Sequence, residues 1–312
     1  MPHVEIEGLT KDYPVGSLSR KSKRALDHLD LTIDEGEIFG LIGPNGAGKT
    51  TTIKLLMGLI FPTEGQARIL GRPVGDLSMK AEIGFLPEQP YFYDYLTGRE
   101  LLDYFGQLFG LGGAERRQRS EELLRRVDLA AAGDTQLHKY SKGMTQRLGV
   151  AQALLNRPRV VFLDEPMSGL DPMGRRDMTL LIRELHDEGV TVLFCSHILP
   201  DVEALCDRVA ILDQGKQVKA GRLSEILDLS LTIEVVLDGV SDSLEQELAG
   251  MGKAVHRLGK GIKAELADEQ ALSKVLSLIQ TNEARLVSVN PVRQTLEEYF
   301  VREVAGAGVE KE

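Results

Sequence analysis

GLIGPNGAGKTT, residues 40–51, carries the spacing G-x-x-x-x-G-K-[ST] at Gly43, Gly48, Lys49 and Thr50. Residues of those types at that spacing suit a polyphosphate. Glycines let successive backbone N–H groups close around a phosphate, and a helix that begins there adds the positive end of its dipole. The expected contacts are Gly43, Pro44, Asn45, Gly46, Ala47, Gly48, Lys49, Thr50 and Thr51, with the Lys49 ammonium on β- and γ-oxygens and the Thr50 hydroxyl on Mg²⁺. Phosphoryl chemistry further needs a carboxylate for the metal and a group that positions the attacking water. VVFLDEP, residues 160–166, offers both. Asp164 is the expected Mg²⁺ ligand, through its waters, and Glu165, one residue on and turned from the metal, is the expected general base. His197 in LFCSHIL ends the next strand, where a doubly wound sheet presents ligand-facing residues, so a γ-phosphate contact is expected of it.

These groups must be held by elements of the right kind. Residues 1–88 read as short strands (VEIEGL, LDLTI, EIFGLIG, ARIL, IGFLP) with one helical run, TTIKLLMGL, directly after the glycine-rich loop. Residues 89–156 turn helical, with RELLDYFGQLF, SEELLRRVDLA and GMTQRLGVAQALL. Strands and helices then alternate as RVVFLD, RRDMTLLIRELHDEG, VTVLFCS, DVEALCD and RVAILD. Near-continuous apolar strands in βα alternation predict an α/β domain whose parallel sheet is covered on both faces. The texture changes again at about residue 228. LTIEVVL, SLEQELAGM, KAVHRL, IKAEL, EQALSKVLSLIQ, RLVSV and QTLEEYFVREV predict a small α+β domain of βαββαβα order over 228–312, leaving 1–227 to the first domain.

With these motifs in this order, residues 1–226 resemble the ATP-binding subunit of an ABC transporter. GPNGAGKT resembles the family's phosphate loop and VVFLDEP its Mg²⁺-and-base motif. The resemblance implies a P-loop NTPase core with an antiparallel β subdomain and a helical subdomain over 89–156. It implies ATP and Mg²⁺ as cofactors, with Glu165, His197 and Gln89 serving catalysis. Gln89 in LPEQP matches the glutamine that senses Mg²⁺ and the membrane partner, and Tyr13 in KDYP stands where an aromatic ring stacks on adenine. SGLD (Ser168, Gly169, Leu170, Asp171) resembles the loop through which two such domains touch. YSKGM, residues 140–144, stands where the family writes LSGGQ, with Lys142 in place of a glycine and Met144 in place of a glutamine. Ser141, Lys142, Gly143 and Met144 are thereby expected to face the γ-phosphate held by an opposing subunit, at a helix start suited to anions. A dimer of two ATP-binding chains follows, most simply a homodimer. The reading is an ATPase that powers transport, and export in particular, through a separate membrane-spanning chain. The alternative is an ABC-type ATPase acting on ribosomes or DNA; such relatives carry two phosphate loops or a long coiled-coil insert, and this sequence has neither.

Composition narrows the setting. A formal net charge of -10 argues against a nucleic-acid-binding surface, so no nucleic-acid partner is expected. Two cysteines, Cys195 and Cys206, are too few for a disulfide framework and point to a reducing, cytoplasmic setting. No apolar run approaches the ~20 residues of a membrane span, so the expected location is peripheral, on the inner face of the cell membrane through the partner. Seven of the sixteen aromatics fall in PYFYDYLTGRELLDYFGQLFG. Tyr104, Phe105 and Phe109 have helical spacing and are expected in the core, whereas the cluster Tyr91, Phe92, Tyr93 and Tyr95 is not helically spaced, and part of it is expected to line a groove for a cytoplasmic helix of the membrane subunit. The basic insert at 17–24, with Arg20, Lys21, Lys23 and Arg24, reads first as a solvated loop, then as a lipid-headgroup contact, and last as a nucleic-acid contact. The C-terminal region, where His256 stands alone, reads as a regulatory or dimerising appendage.

Overall fold

The computed structural model describes residues 1–15, 22–227, 232–251, 254–258, 261–282, 284–292 and 295–301. Most of the basic insert lies outside these residues; Lys23 and Arg24 lie within them. The chain divides into two units, Met1–Leu223 and Ser224–Glu312.

The first unit opens with strands β1 (Pro2–Pro14), β2 (Ser22–Asp34) and β3 (Ile38–Ile42), the last running through the glycine-rich loop into helix α1 (Lys49–Leu56). Strands β4 (Glu64–Ile69) and β5 (Arg72–Pro73), the one-turn helix α2 (Leu77–Lys80) and strand β6 (Ile83–Leu86) follow. Three helices come next: α3 (Gly98–Leu108), α4 (Gly113–Arg126) and α5 (Lys142–Ala153). Alternation then sets in with β7 (Val160–Asp164), α6 (Pro172–Asp187), β8 (Thr191–Ser196), α7 (Leu199–Leu205), β9 (Arg208–Asp213) and β10 (Lys216–Arg222).

Two sheets result. One is antiparallel, in the order β2-β1-β4-β5; the other runs β10-β9-β3-β8-β7-β6, parallel from β9 to β6, with β10 antiparallel at its edge. Every residue of β3, β7 and β8 is buried, which is why those strands read as unbroken apolar runs rather than alternating ones. The register places Ile42 beside Ser196, and Asp164 beside Cys195. The loops that leave β3, β7 and β8 therefore start at one level, at the carboxyl edge of the sheet where open α/β folds bind ligands.

Helix α3 starts in a capping box: Glu100 N–H donates to the Thr97 hydroxyl at 3.2 Å and Thr97 N–H to the Glu100 carboxylate at 2.8 Å. It buries Leu101, Leu102 and Gly106. The expectation that Tyr104, Phe105 and Phe109 are core is corrected. Tyr104 is 39% and Phe109 38% exposed, and Phe105 is half-buried. At 3.6 residues per turn Tyr104 lies nearly opposite Leu102 and Gly106, and Phe109 sits at the C-cap, past the last buried turn.

The second unit begins within the one-turn helix α8 (Leu223–Ile226) and continues with β11 (Thr232–Asp238), α9 (Asp242–Met251), β12 (Ala254–Leu258), β13 (Gly261–Leu266), α10 (Glu269–Thr281), β14 (Arg285–Val292) and α11 (Leu296–Phe300). From β11 onward the order is βαββαβα, as its patterning predicts. The sheet is antiparallel, β12-β13-β11-β14, the split βαβ arrangement. β13 buries alternate residues, and Val235, Leu237, Leu244, Leu248, Ala264, Leu266 and Val275 form the unit's own core.

Candidate active site

The loop after β3 is shaped by its neighbours. Gly43 has φ 154°, and a Cβ there would stand 2.2 Å from the Leu212 carbonyl oxygen, so only glycine fits. Gly48 caps α1 at φ 110°, with the Ala25 carbonyl oxygen 2.8 Å from where its Cβ would be. Gly215, in the turn between β9 and β10, donates its N–H to the Ala47 carbonyl at 3.0 Å and accepts from Asp27 N–H at 2.8 Å. The loop is thus held between β2 and the β9–β10 turn. Lys49 is buried; its Nζ donates to the carbonyls of Gly43 (2.6 Å) and Pro44 (3.3 Å) and lies 3.8 Å from Glu165 Oε1.

Asp164 ends β7 and is buried. Burial pushes its carboxyl up from 3.8 to about 6, and a hydrogen bond from the Thr50 hydroxyl pulls the other way. Its Oδ1 has no hydrogen-bond partner among the described residues. A buried carboxylate oxygen left unpartnered beside a threonine hydroxyl is the hard oxygen donor set that Mg²⁺ takes, so these residues fit that ion. Glu165 follows with φ 51°, and its N–H donates to the Cys195 carbonyl at 2.9 Å. Its Oε2 lies 2.8 Å from His197 Nδ1. An ionised carboxylate only accepts, which puts the imidazole proton on Nδ1 and leaves Nε2 available to a ligand.

Lys49, Thr50, Glu165 and His197 share one cavity of about 920 Å³, lined by Tyr13, Lys23, Arg24, Ala25, Asn45 to Thr51, Glu88, Glu165, His197 and Gln214; Asp164 is buried and does not line it. Gly43, which is buried, and Pro44, which is exposed, are not among its lining residues. Sequence reasoning missed Glu88, Gln214 and the position of Lys23 and Arg24. The Gln-Gly turn was the available signal for Gln214, whose φ is 46°. Gln89 is exposed and accepts from the Tyr91 hydroxyl at 3.0 Å; Glu88, not Gln89, lines the cavity.

The start of α5 is absent from that wall. Ser141 caps the helix, its hydroxyl accepting from Met144 N–H at 3.2 Å. The Lys142 side chain lies over Gly169, its Nζ 2.3 Å from where a Cβ would be, and Leu170 Cδ2 is 3.3 Å from the equivalent point on Gly143. YSKGM and SGLD therefore pack together within one chain. Asp171 ends that loop by capping α6, accepting from Gly174 N–H at 2.8 Å.

A second cavity, of about 440 Å³, is lined largely by apolar side chains, among them Met57, Leu59, Phe85, Pro90, Tyr91, Phe92, Phe105 and Phe109. Phe92 and Phe105 meet edge to face at 6.5 Å, and Tyr93 and Tyr104 at 6.1 Å. Among the described residues no helix is long and apolar enough to cross a membrane.

Comparison with known proteins agrees with this geometry. The ABC transporter family model matches residues 26–168. An ABC transporter ATP-binding protein of Synechocystis sp. is 44% identical over 98% of this chain and 86% of its own length. The daunorubicin resistance ATP-binding protein DrrA2 of Streptomyces coeruleorubidus is 35% identical over 90% of each. Among solved structures, the dimeric post-hydrolysis state of the ATP-binding cassette MJ0796 with ADP and Pi superposes with a TM-score of 0.65 and 28% identity, over 70% of this chain and 98% of that one. Subunits of this kind dimerise and partner with membrane components. These likenesses support ATP-powered transport and give none to the ribosome or DNA alternative. The chain belongs to the ATP-binding subunits of ABC transporters, and it is an ATPase that works with ATP and Mg²⁺.

Proposed function

We propose that this ATPase drives export through a membrane-spanning partner, as one of two identical ATP-binding chains held at the cytoplasmic face of the cell membrane by that partner. The observation that carries the chemistry is the convergence of Lys49, Thr50, Glu165 and His197 on one cavity, with Asp164 buried behind it. Tyr13 stacks on the adenine. The loop N–H groups and Lys49 bind the β- and γ-phosphates. Thr50 and Asp164, with Gln89 from its exposed loop, hold Mg²⁺, which when bound neutralises charge developing on the phosphates. Glu165 takes a proton from the attacking water, and His197 fixes that carboxylate through Nδ1 while Nε2 meets the γ-phosphate.

Ser141, Lys142, Gly143 and Met144 serve the nucleotide of the opposing subunit. That they lie off the wall of their own chain's cavity supports this. Ser168 to Asp171 then form the contact loop, and their packing against Lys142 and Gly143 ties the two functions together. ATP closes the dimer and hydrolysis opens it. The aromatic cavity beside Gln89 receives a helix of the membrane subunit. Export is favoured by the resistance-protein relative, and the second unit serves regulation or dimerisation.

Glu165→Gln tests the central assignment. ATP and Mg²⁺ affinity should stay within a few-fold of the parent, while steady-state hydrolysis should fall about 10²-fold or more. Hydrolysis within a few-fold of the parent would remove Glu165 as the base.

A further inference from the structure

The cavity wall nearest Tyr13 carries a cation that the reading above does not use. Lys23 stands directly opposite Tyr13 in the antiparallel pairing of β1 with β2, and both line the cavity. Residues so paired present their side chains to one face, with Cβ atoms about 5 Å apart. Two residues on, at the bulge where β2 slips one residue against β1, the backbone carbonyl of Ala25 presses on the phosphate loop at Gly48, and Ala25 lines the same cavity. A strand rises about 3.3 Å per residue, so Lys23 stands about 7 Å along β2 from that point. Its four-carbon stem spans most of such a distance.

The neighbouring charges are already committed. Arg24 binds Asp12 at 3.0 and 3.2 Å and Asp27 at 2.8 Å. Asp27 also lies 3.7 Å from Lys216. Lys23 is exposed and makes no ion pair among the described residues. If the base rests on Tyr13 and the terminal phosphates on Lys49, the ribose and the α-phosphate lie between them, beside Lys23.

We propose that Lys23 binds the α-phosphate of the nucleotide, a contact that rests on the nucleotide reading of this cavity. An ammonium on a phosphate oxygen is a charge-assisted hydrogen bond. Because the α-phosphate is common to ATP, ADP and AMP, Lys23 sets affinity for all three alike and keeps ADP bound after the γ-phosphate has gone. Lys49 acts at the other end of the chain of phosphates.

The test is the affinity of the full chain for ATP, ADP, AMP and adenosine, by calorimetry or competition, in the parent, Lys23→Met, Lys23→Arg and Lys49→Ala. Lys23→Met should weaken ATP, ADP and AMP by a similar factor, about threefold to tenfold for an exposed ammonium on a phosphate oxygen, and leave adenosine unchanged. Lys23→Arg should keep parental affinity, and the loss in Lys23→Met should shrink as salt rises. Lys49→Ala should weaken ATP and ADP but not AMP. If Lys23→Met binds all three nucleotides within about twofold of the parent, loses only ATP, or also loses adenosine, the α-phosphate contact is wrong while the site reading stands. If Lys49→Ala binds ATP like the parent, the site reading fails and the Lys23 contact with it.

Discussion

One imidazole ties the first strand to the floor of the parallel sheet. Arg159 has only donors to offer, and its Nη2 lies 3.2 Å from His3 Nε2, so that nitrogen accepts. The proton is then on Nδ1, directed at the Thr191 hydroxyl at 2.7 Å, which also receives Gly36 N–H at 2.8 Å. Burial holds His3 below its ordinary 6.5; Glu35, 3.7 Å away, opposes this, and Arg159 and the N-terminal amine reinforce it. The folded state therefore binds fewer protons than the unfolded chain just below pH 6.5. His3's contribution to stability is present above that value and is lost as pH falls through the folded pKa. The urea midpoint should drop between about pH 7 and pH 5, and His3→Asn should flatten that slope. An equal slope in the variant would assign the effect to other groups.

At the scale of elements, the apolar cavity lined from β6, the loop after it, α3 and the end of α5 makes the next test specific. Tyr91, in its wall, is 89% exposed, so a charge there costs the fold little. Tyr91→Asp should reduce co-purification with the membrane-spanning subunit by about tenfold while leaving the melting transition cooperative and near the parental temperature, whereas Tyr93 and Tyr95 do not line this cavity. Retained co-purification would dismiss the groove. The same region marks how far the sequence could be read. GPNGAGKT and LDEP are runs of consecutive residues whose geometry is local, so the loop, its helix and the two carboxylates were legible. Lys23 and Gln214 reach the same cavity only through strand pairing and a turn distant in the chain, and no local pattern records that. Tyr104 and Phe109 were misplaced because helical spacing shows that a face is apolar, not whether protein or an open groove covers it.

At the scale of the molecule, the question is whether a site is finished by its own chain. A Lys49→Ala chain and a Ser141→Arg chain should each be defective alone, since every site in either pure dimer lacks one half. Mixed, the intact loop of one faces the intact helix start of the other, and one complete site returns. Trapped nucleotide should then rise several-fold above either pure variant; trapping is the better readout because turnover can require both sites together. No rescue, in a mixture shown by differential tagging to contain the mixed dimer, would remove the opposing-subunit role of Ser141.

Glu165 holds a backbone conformation, φ 51°, that glycine adopts freely and that costs other residues about 1–2 kcal/mol. With Glu165 as the base proposed above, heat tolerance and turnover compete for one position. Under the proposed cycle, a glycine there would relieve the strain at the loss of the Glu165 contacts to His197 and Lys49, and the product would hold ATP as an idle subunit that closes on its nucleotide and does not let go.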